Sequence, residues 1–295
     1  KADILQGRKI LEMKKIYLLA LMCLGITQLK AQDGVVFKVK YLPNHNYQTA
    51  VNISIKANAT LSGDSALIAK LNSQGITQPI NATVSLGLNG SMKTGAQGAD
   101  NTFPLDMDYK VTNMDVKAND KQIPIPPKIS EKDFKVMGHI TQDGQIKIDS
   151  AEGKKMNDST EKKMKQMMDM VQKQVKFPDK ALKPGDTFTQ GAPINIPMSA
   201  NNNAQVTGSV VYKLVSISGG KAYFDMVPTF SMDLKIKNTT VNVTGTGTGK
   251  MVYSVKDSFP LSKEGTFNMK IKVNSPKFNV EGTAVVTSDY TCTIN

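Results

Sequence analysis

The sequence predicts a mainly β protein of the α+β class, with a large curved antiparallel sheet or half-barrel packed over one or two amphipathic helices. Long runs alternate apolar and polar residues, short turn sequences separate these runs, and two segments change to helical spacing. Alternation with a period of two is typical of antiparallel strands that have one dry and one wet face. We expect about ten to twelve such strands.

The strands are assigned from runs in which apolar residues occupy every second position. The clearest runs lie at 47–55, 82–88, 224–236, 267–273 and 278–286. Glycine-bearing or proline-bearing turns are predicted at 42–44, 142–145, 218–221 and 262–265. The apolar parity changes between Val111 and Met114, which predicts a β-bulge near Thr112 and Asn113.

Two segments have helical spacing. The first lies between Asp64, as the N-cap, and Gly75, and the second runs over residues 158–175. The second helix begins with Asp158 and Glu161 in capping-box spacing, and its other face is mostly Lys and Gln. Its apolar face comprises Thr160, Met164, Met167, Met168, Val171 and Val175. This helix joins two β-rich halves, 33–150 and 176–295, in a single predicted domain over residues 32–295.

The amino-terminal part is predicted to be an export signal. Lys14 and Lys15 precede an apolar run over residues 16–26, and Ala31 supplies a small residue at the expected cleavage site. The run is shorter than the about 20 residues that span a bilayer. We therefore expect cleavage after Ala31, no transmembrane segment, and a periplasmic or extracellular protein, with residues 1–12 lying upstream of the signal. Acylation at Cys23 is not expected, because Met22 is not a small residue.

The charge balance does not favour nucleic-acid binding. The chain has 37 Lys and Arg residues against 25 Asp and Glu residues, but Arg8 is its single arginine and tryptophan is absent. Recognition of phosphates and bases normally uses arginine forks and aromatic platforms. We interpret the lysines as solvated residues on the wet faces of strands, and expect no nucleic-acid partner.

The sequence offers no catalytic or metal-binding motif. It has two histidines, His45 and His139, and lacks the G-x-S-x-G and H-E-x-x-H patterns. The glycine run over 244–251 ends in Met251 where a phosphate loop requires Ser or Thr. We therefore expect a protein that is not an enzyme and has no cofactor or metal.

The same glycine run supplies the candidate binding site. Gly245, Gly247 and Gly249 lie on the apolar face of their predicted strand. Because they lack side chains, we expect another group to approach the backbone closely there. Either the predicted helix packs on the glycines, or they form the floor of a cavity for an apolar ligand. The abundant methionines suit either a variable apolar ligand or a filled core. The candidate ligand-binding residues are Met164, Met167, Met168, Val171, Gly245, Gly247, Gly249 and Met251.

Three segments resemble secreted proteins of unknown function from Bacteroidetes-type bacteria: Lys30-Ala31-Gln32, YLPNHNY at 41–47 and FPDKALKPGDTF at 177–188. The shared pattern after the central helix is Pro178 followed by Gly185 and Asp186. This family has no assigned activity. The layout also looks like the half-barrel of periplasmic lipoprotein carriers, which hold acyl chains, although shape alone transfers no residue role.

Two functions follow as hypotheses. The first is a non-enzymatic envelope protein that binds a lipid or an acylated protein between the sheet and the helix of residues 158–175. The second is a structural or interaction protein with a filled core, whose polar strand faces bind proteins or glycans. The sequence does not identify a protein partner.

Overall fold

A computed structural model describes residues 34–124, 134–151, 175–199, 202–236 and 238–295. The chain divides into two units, residues 1–35 and 36–295, and the second unit contains the strands and the helix. The predicted signal and its cleavage site lie outside the described residues, as do Met164, Met167, Met168 and Val171.

The second unit contains twelve strands and one short helix in the described ranges. In chain order they are β1 (Asn46–Ser62), α1 (Ser65–Ser73), β2 (Ile80–Thr94), β3 (Phe103–Ala118), β4 (Lys121–Gln122), β5 (Phe134–Ile140), β6 (Ile146–Ala151), β7 (Thr187–Ser199), β8 (Asn202–Ser218), β9 (Lys221–Ile236), β10 (Thr239–Ser254), β11 (Phe259–Asn274) and β12 (Asn279–Ile294). The prediction of a mainly β protein is confirmed.

All the strands belong to one antiparallel sheet. Its order is β6-β5-β3-β2-β1-β12-β11-β10-β9-β8-β7, and β4 pairs with β3 outside this path. As described, the sheet is open, with β6 and β7 at its edges. The strands before residue 152 form one half and those after residue 175 form the other. The two halves meet where β1 pairs with β12, from Tyr47 opposite Ile294 to Ser62 opposite Asn279.

Three of the four predicted turns are confirmed. The chain turns at Pro43-Asn44, at 142–144 between β5 and β6, and at Gly219-Gly220 between β8 and β9. The turn predicted at 262–265 is wrong, because these residues continue β11. The hairpin instead turns at 255–258, where the Ser254 hydroxyl donates to the Asp257 carboxylate over 2.6 Å and the Asp257 N–H donates back over 3.1 Å.

The predicted bulge is present in β3. Gly87 of β2 pairs with Asn113 and Leu88 pairs with Val111, which leaves Thr112 as the extra residue. The insertion restores apolar side chains to the same face of β3 on both sides of Thr112.

The first predicted helix is confirmed as α1. Asp64 caps it by accepting a 2.9 Å hydrogen bond from the Leu67 N–H, and Gly75 follows its end with φ of +74°. No residue of α1 is buried, so α1 is not a layer beneath the sheet. The helix predicted over 158–175 lies outside the described residues except for Val175, which is buried.

Burial is concentrated at one end of the sheet, which we call the covered end. Its fully buried side chains include Tyr47, Leu105, Met107, Leu214, Phe224, Met251, Tyr253 and Phe259. Two chain segments, 36–44 and 175–186, pack against this end. Phe37 and Phe177 stack with ring centroids 5.2 Å apart, and each contacts Phe224 and Tyr253.

Hydrogen bonds fix both segments at the covered end. The Tyr253 hydroxyl donates to the Lys38 carbonyl over 2.5 Å. In the second segment, the Gly185 N–H donates to the Leu214 carbonyl over 2.7 Å, and the Leu214 N–H donates to the Asp186 carbonyl over 2.9 Å. The Gly-Asp pair therefore extends the pairing of β8 into the covering segment.

Truncating an aromatic ring at the covered end tests this arrangement. Phe177→Ala is expected to lower the free energy of unfolding by about 3–5 kcal/mol, because it leaves a cavity among Phe37, Phe224 and Tyr253. The measurement is the urea midpoint. The matched control is Tyr223→Ala, whose ring is 37% exposed and whose loss is expected to cost much less. Equal losses for the two variants would contradict the assignment of Phe177 to the core.

Candidate functional site

The apolar face of β9–β12 continues beyond the covered end, where most of its side chains are half-buried and Leu234, Val243 and Ala284 are buried. We call this region the open apolar face. Its residues are Phe230, Met232, Leu234, Val241, Val243, Gly245, Gly247, Phe267, Met269, Ile271, Val273, Val280, Ala284 and Val286. Cross-strand pairing aligns them in rows, such as Phe230, Gly245 and Met269. The opposite face of these strands carries mostly Thr, Asn, Lys and acidic residues, so the strands separate an apolar surface from a polar one.

The glycines of β10 accommodate side chains from the neighbouring strands. A Cβ atom at Gly245 would lie 2.6 Å from Cε1 of Phe267, and one at Gly249 would lie 2.9 Å from Cε of Met226. At Gly247 the added atom would meet the Thr266 carbonyl oxygen and the Phe267 ring. The backbone is thus approached by a ring of β11. The sequence interpretations had considered only the helix or a ligand for this role.

The predicted site residues within the described ranges have different surroundings. Gly245, Gly247 and Gly249 line the apolar face, whereas Met251 is 1% exposed and belongs to the core of the covered end. Met251 lies opposite Phe224 of β9 and Lys263 of β11. The three predicted glycines and Met251 therefore lie on the same face of the sheet. Met251 belongs to the covered end, and the glycines lie beyond it.

Lys263 is a candidate functional residue that the sequence analysis assigned to a turn. It lies on the apolar face of β11, between Met251 on β10 and Tyr290 on β12. Lys263 is half-buried, and its ammonium makes no hydrogen bond or ion pair with the described residues. Loss of hydration lowers the pKa of Lys263 to about 8. One sequence signal for this placement is that Lys263, Gly265 and Phe267 occupy every second position and therefore point to the same face of the strand.

Tyr290, opposite Lys263 in the ladder, buries its polar atom beside Cys292, Tyr41 and Tyr109 in the core of the covered end. Its hydroxyl is buried and has no hydrogen-bond partner within the part of the chain that is described. Burial, and secondarily the Cys292 thiol, raises the pKa of Tyr290, so the phenol stays protonated. Burial also raises the pKa of Cys292. An unpaired buried hydroxyl is uncommon in folded proteins and retains the capacity to donate a hydrogen bond.

The polar face carries three shallow depressions with volumes of about 400, 570 and 560 Å³. Strand residues line them, including Asn58, Lys270 and Glu281 in the first. Cross-strand ion pairs occur in the first and third of these areas: Lys272 to Glu281 at 3.0 Å and Lys135 to Asp108 at 3.5 Å. This face has the hydrogen-bonding groups for a polar ligand such as a glycan.

The two histidines occupy ordinary surroundings. Nδ1 of His139 lies 2.9 Å from the Asp149 carboxylate, and Nδ1 of His45 lies 2.6 Å from the Pro43 carbonyl oxygen. Over the described ranges, no three His, Cys, Asp or Glu residues converge to hold a metal ion. Nor does the described part of the chain contain a helix with the length and apolar character needed to cross a membrane.

A change at the centre of the glycine run tests its packing. Gly247→Ala is expected to cost about 1–3 kcal/mol of unfolding free energy, because the new methyl group would collide with Thr266 and Phe267. Gly191→Ala on β7 is the matched control, since no described atom lies within 4 Å of its added Cβ. Both are compared by urea denaturation, and a neutral Gly247→Ala would refute the close contact with Phe267.

Replacing the unpaired lysine tests its electrostatic cost. Lys263→Met is expected to raise the free energy of unfolding at pH 7 by roughly 2 kcal/mol, because the ammonium loses hydration without gaining a partner. The folded-state pKa near 8 lies below the ordinary value of 10.5, so the unfolded chain binds more protons in this interval. Wild-type stability therefore rises with pH there, and the advantage of the variant shrinks.

Denaturation of Lys263→Met and wild type at pH 7, 8, 9 and 10 measures this difference. Lys270→Met, on the polar face of the same strand, is expected to show no comparable gain or pH dependence. A destabilised Lys263→Met at pH 7 would mean that the ammonium has a compensating partner.

Comparison with known proteins identifies no family for this chain. No family model and no curated protein matches it. Among solved structures, an outer membrane channel from Pseudomonas putida F1 is 6% identical with a TM-score of 0.21, covering 86% of this chain and 97% of that one. The outer membrane protein Omp33 of Acinetobacter baumannii is 9% identical with a TM-score of 0.13, covering 86% and 98%. Similarities at this level carry no argument about fold or function.

Proposed function

We propose that this protein is an exported, non-enzymatic envelope protein that binds the acyl chain of a lipid or of an acylated protein. The observation that carries the proposal is the open apolar face, where most large side chains stay half-buried beyond the covered end, although Leu234 and Val243 are buried. Contiguous apolar surface that stays partly accessible to water is found at binding sites. Its occupant in this proposal is a single acyl chain lying along the strands.

The dimensions of the face suit this ligand. Phe267, Met269, Ile271 and Val273 extend over seven residues of β11, and the six rises between them span about 20 Å. One leaflet of a bilayer's hydrocarbon core is about 15 Å thick, which approximates the length of an ordered acyl chain. Each buried CH₂ group contributes about 0.8 kcal/mol, so a chain held along this length gains enough free energy for stable binding.

The amphipathic helix predicted for residues 158–175 completes the proposal in its detailed form. The acyl chain would lie between the sheet and the apolar side of that helix, which carries Met164, Met167, Met168 and Val171. Flexible methionine side chains adapt to ligands of varied shape. The predicted export signal, and the resemblance to secreted Bacteroidetes-type proteins, support a location in the periplasm or outside the cell.

An interaction protein is the second candidate function. The polar face favours it, because three depressions there present hydroxyl, amide and charged side chains. The close packing of Phe267 on the glycines also fits a filled interior. In this case the partner would be a glycan or a protein on the polar face, and the apolar face would take up no lipid.

Uptake of a fluorescent fatty acid distinguishes the two functions. Met269→Lys places a charge on the open apolar face and is expected to lower the affinity at least tenfold, since burying the charge opposes acyl binding. Asn268→Lys is the matched control, because the neighbouring residue lies on the polar face and is exposed. Circular dichroism checks that both variants fold.

Native mass spectrometry of the exported protein, before and after organic extraction, provides the complementary measurement. A bound species that is lost on extraction supports acyl binding. A ligand-free mass together with no uptake by the wild type, or equal uptake by both variants, would overturn binding on the open apolar face.

A further inference from the structure

We propose that this protein docks on membranes that contain anionic lipid, through the lysine-rich outer side of segments 36–44 and 175–186, which we call the covering segments. We call this outer side the basic surface, and its residues are Lys38, Lys40, Lys176, Lys180 and Lys183. Docking of this kind goes beyond acyl binding and does not depend on it. The partner is the bilayer, which is recognised by the negative charge of its head groups.

The basic surface arises because each covering segment buries one side and exposes the other. In the first segment, Phe37 is buried between the exposed residues Val36 and Lys38. Val39 is then half-buried, and Lys40 is exposed again. Burial therefore alternates as it does along an extended chain, where successive side chains point to opposite sides. A segment that turns its apolar side chains towards the sheet turns its lysines away from it.

The second covering segment has the same division. Its buried apolar residues are Val175, Phe177 and Leu182. Its exposed lysines lie between and beside them, at positions 176, 180 and 183. The apolar residues that complete the core and the lysines that form the basic surface are thus parts of the same short segment.

Contacts at the covered end join these lysines into one surface. Phe37 and Phe177 stack with ring centroids 5.2 Å apart, so the two covering segments lie side by side. The Lys40 N–H donates to the Ser258 carbonyl over 3.0 Å, which places the first segment beside the turn that carries the exposed Lys256. Positive charge therefore comes from both segments and from a neighbouring turn.

The basic surface has an excess of positive charge. The covering segments hold five lysines against two aspartates, Asp179 and Asp186. The ion pairs formed among the described residues involve none of these five lysines. On the polar face of the sheet, by contrast, Lys272 pairs with Glu281 at 3.0 Å. A surface with an excess of one sign of charge attracts partners of the opposite sign.

A bilayer suits this surface better than a nucleic acid does. The covering segments contain no arginine, and the rings of Phe37, Tyr41 and Phe177 pack in the core instead of forming platforms for bases. Lysines near a membrane are attracted by the diffuse field of its anionic head groups. Val36, next to the lysines, is 51% exposed, and a bilayer interface accommodates an apolar side chain beside cations.

The test measures how the exported protein partitions between water and sedimentable vesicles. The vesicles contain phosphatidylcholine alone or an equimolar mixture with phosphatidylglycerol. We expect the wild type to bind the anionic vesicles at least tenfold more strongly, because each lysine near an anionic surface contributes a factor of about five. Raising the salt concentration from about 0.1 M to about 1 M should remove this difference, since it shortens the Debye length from about 10 Å to about 3 Å.

A variant with four substitutions locates the docking surface. The combination of Lys38→Ser, Lys40→Ser, Lys180→Ser and Lys183→Ser is expected to weaken binding to the anionic vesicles about fiftyfold. The matched control combines four substitutions of exposed lysines on the polar face: Lys56→Ser, Lys235→Ser, Lys250→Ser and Lys270→Ser. Both variants lose the same net charge, so the control should stay within about fivefold of the wild type. Urea denaturation checks that both fold, and Lys38→Ser with Lys180→Ser alone should still weaken binding by about tenfold.

Several outcomes would overturn the proposal. Equal binding of the wild type to neutral and anionic vesicles would remove the role of charge. Equal losses in the two variants would mean that net charge acts without a localised surface. A single-stranded RNA that binds the wild type while the anionic vesicles do not would assign the lysines to a nucleic acid.

Met269→Lys separates docking from acyl binding, because Met269 lies on the open apolar face and outside the covering segments. It should keep its binding to anionic vesicles even as its uptake of fatty acid falls. The variant lacking four lysines of the basic surface should show the reverse: unchanged uptake of fatty acid and weak binding to vesicles. Loss of vesicle binding in Met269→Lys would place the membrane contact on the open apolar face and would overturn docking through the basic surface.

Discussion

The pairing of β1 with β12 is the constraint on which the rest of the structure depends. It joins the first and the last long strand of the sheet over the whole length from Tyr47 to Ser62. The other long strands pair with neighbours that are close in sequence. Without the β1–β12 ladder, each half would have one more unpaired edge, and unpaired strand edges promote non-native association.

This ladder also assembles a buried cluster at the covered end. Tyr47 of β1, Phe259 of β11 and Cys292 of β12 belong to one buried cluster with Leu105 and Met107 of β3. Residues from both halves of the chain are therefore needed to exclude water there. The long loop closure that brings them together is unfavourable, and burial of this cluster contributes to offsetting it.

The two covering segments pack over only one end of the apolar face. The covered end contributes to the stability of the fold, and the rest of the face is the proposed binding site. At one end, Phe37 and Phe177 pack over Phe224 and Tyr253 and complete a core. Further along the same strands, most of the apolar residues stay half-buried, while Leu234, Val243 and Ala284 are buried. The strand parity is identical in both regions, so the difference comes from the covering segments. The proposed acyl ligand occupies the part that these segments leave open.

The sequence by itself determined the local features. Alternation fixed the strands, the Asp64 cap and Gly75 fixed α1, and the parity change predicted the bulge at Thr112, because these patterns depend on residues close in the chain. A turn-like composition misled at 262–265, where polar residues within a strand have the same local appearance as a hairpin. For the glycines, parity gave the correct face, but the ring of Phe267 could be assigned only from strand pairing.

Only the tertiary structure decided which distant strands pair and what surrounds each side chain. The β1–β12 ladder and the covering of one end by 175–186 depend on register and loop closure between remote segments, which no local pattern encodes. Lys263 is the clearest case. The segment around it, residues 262–265, has the composition of a solvated turn, although the parity of Lys263 matches that of Gly265 and Phe267. Its apolar surroundings arise from Met251 and Tyr290 on the neighbouring strands. The free-energy cost of burying the Lys263 ammonium depends on how much hydration it loses, and the assembled sheet determines that loss.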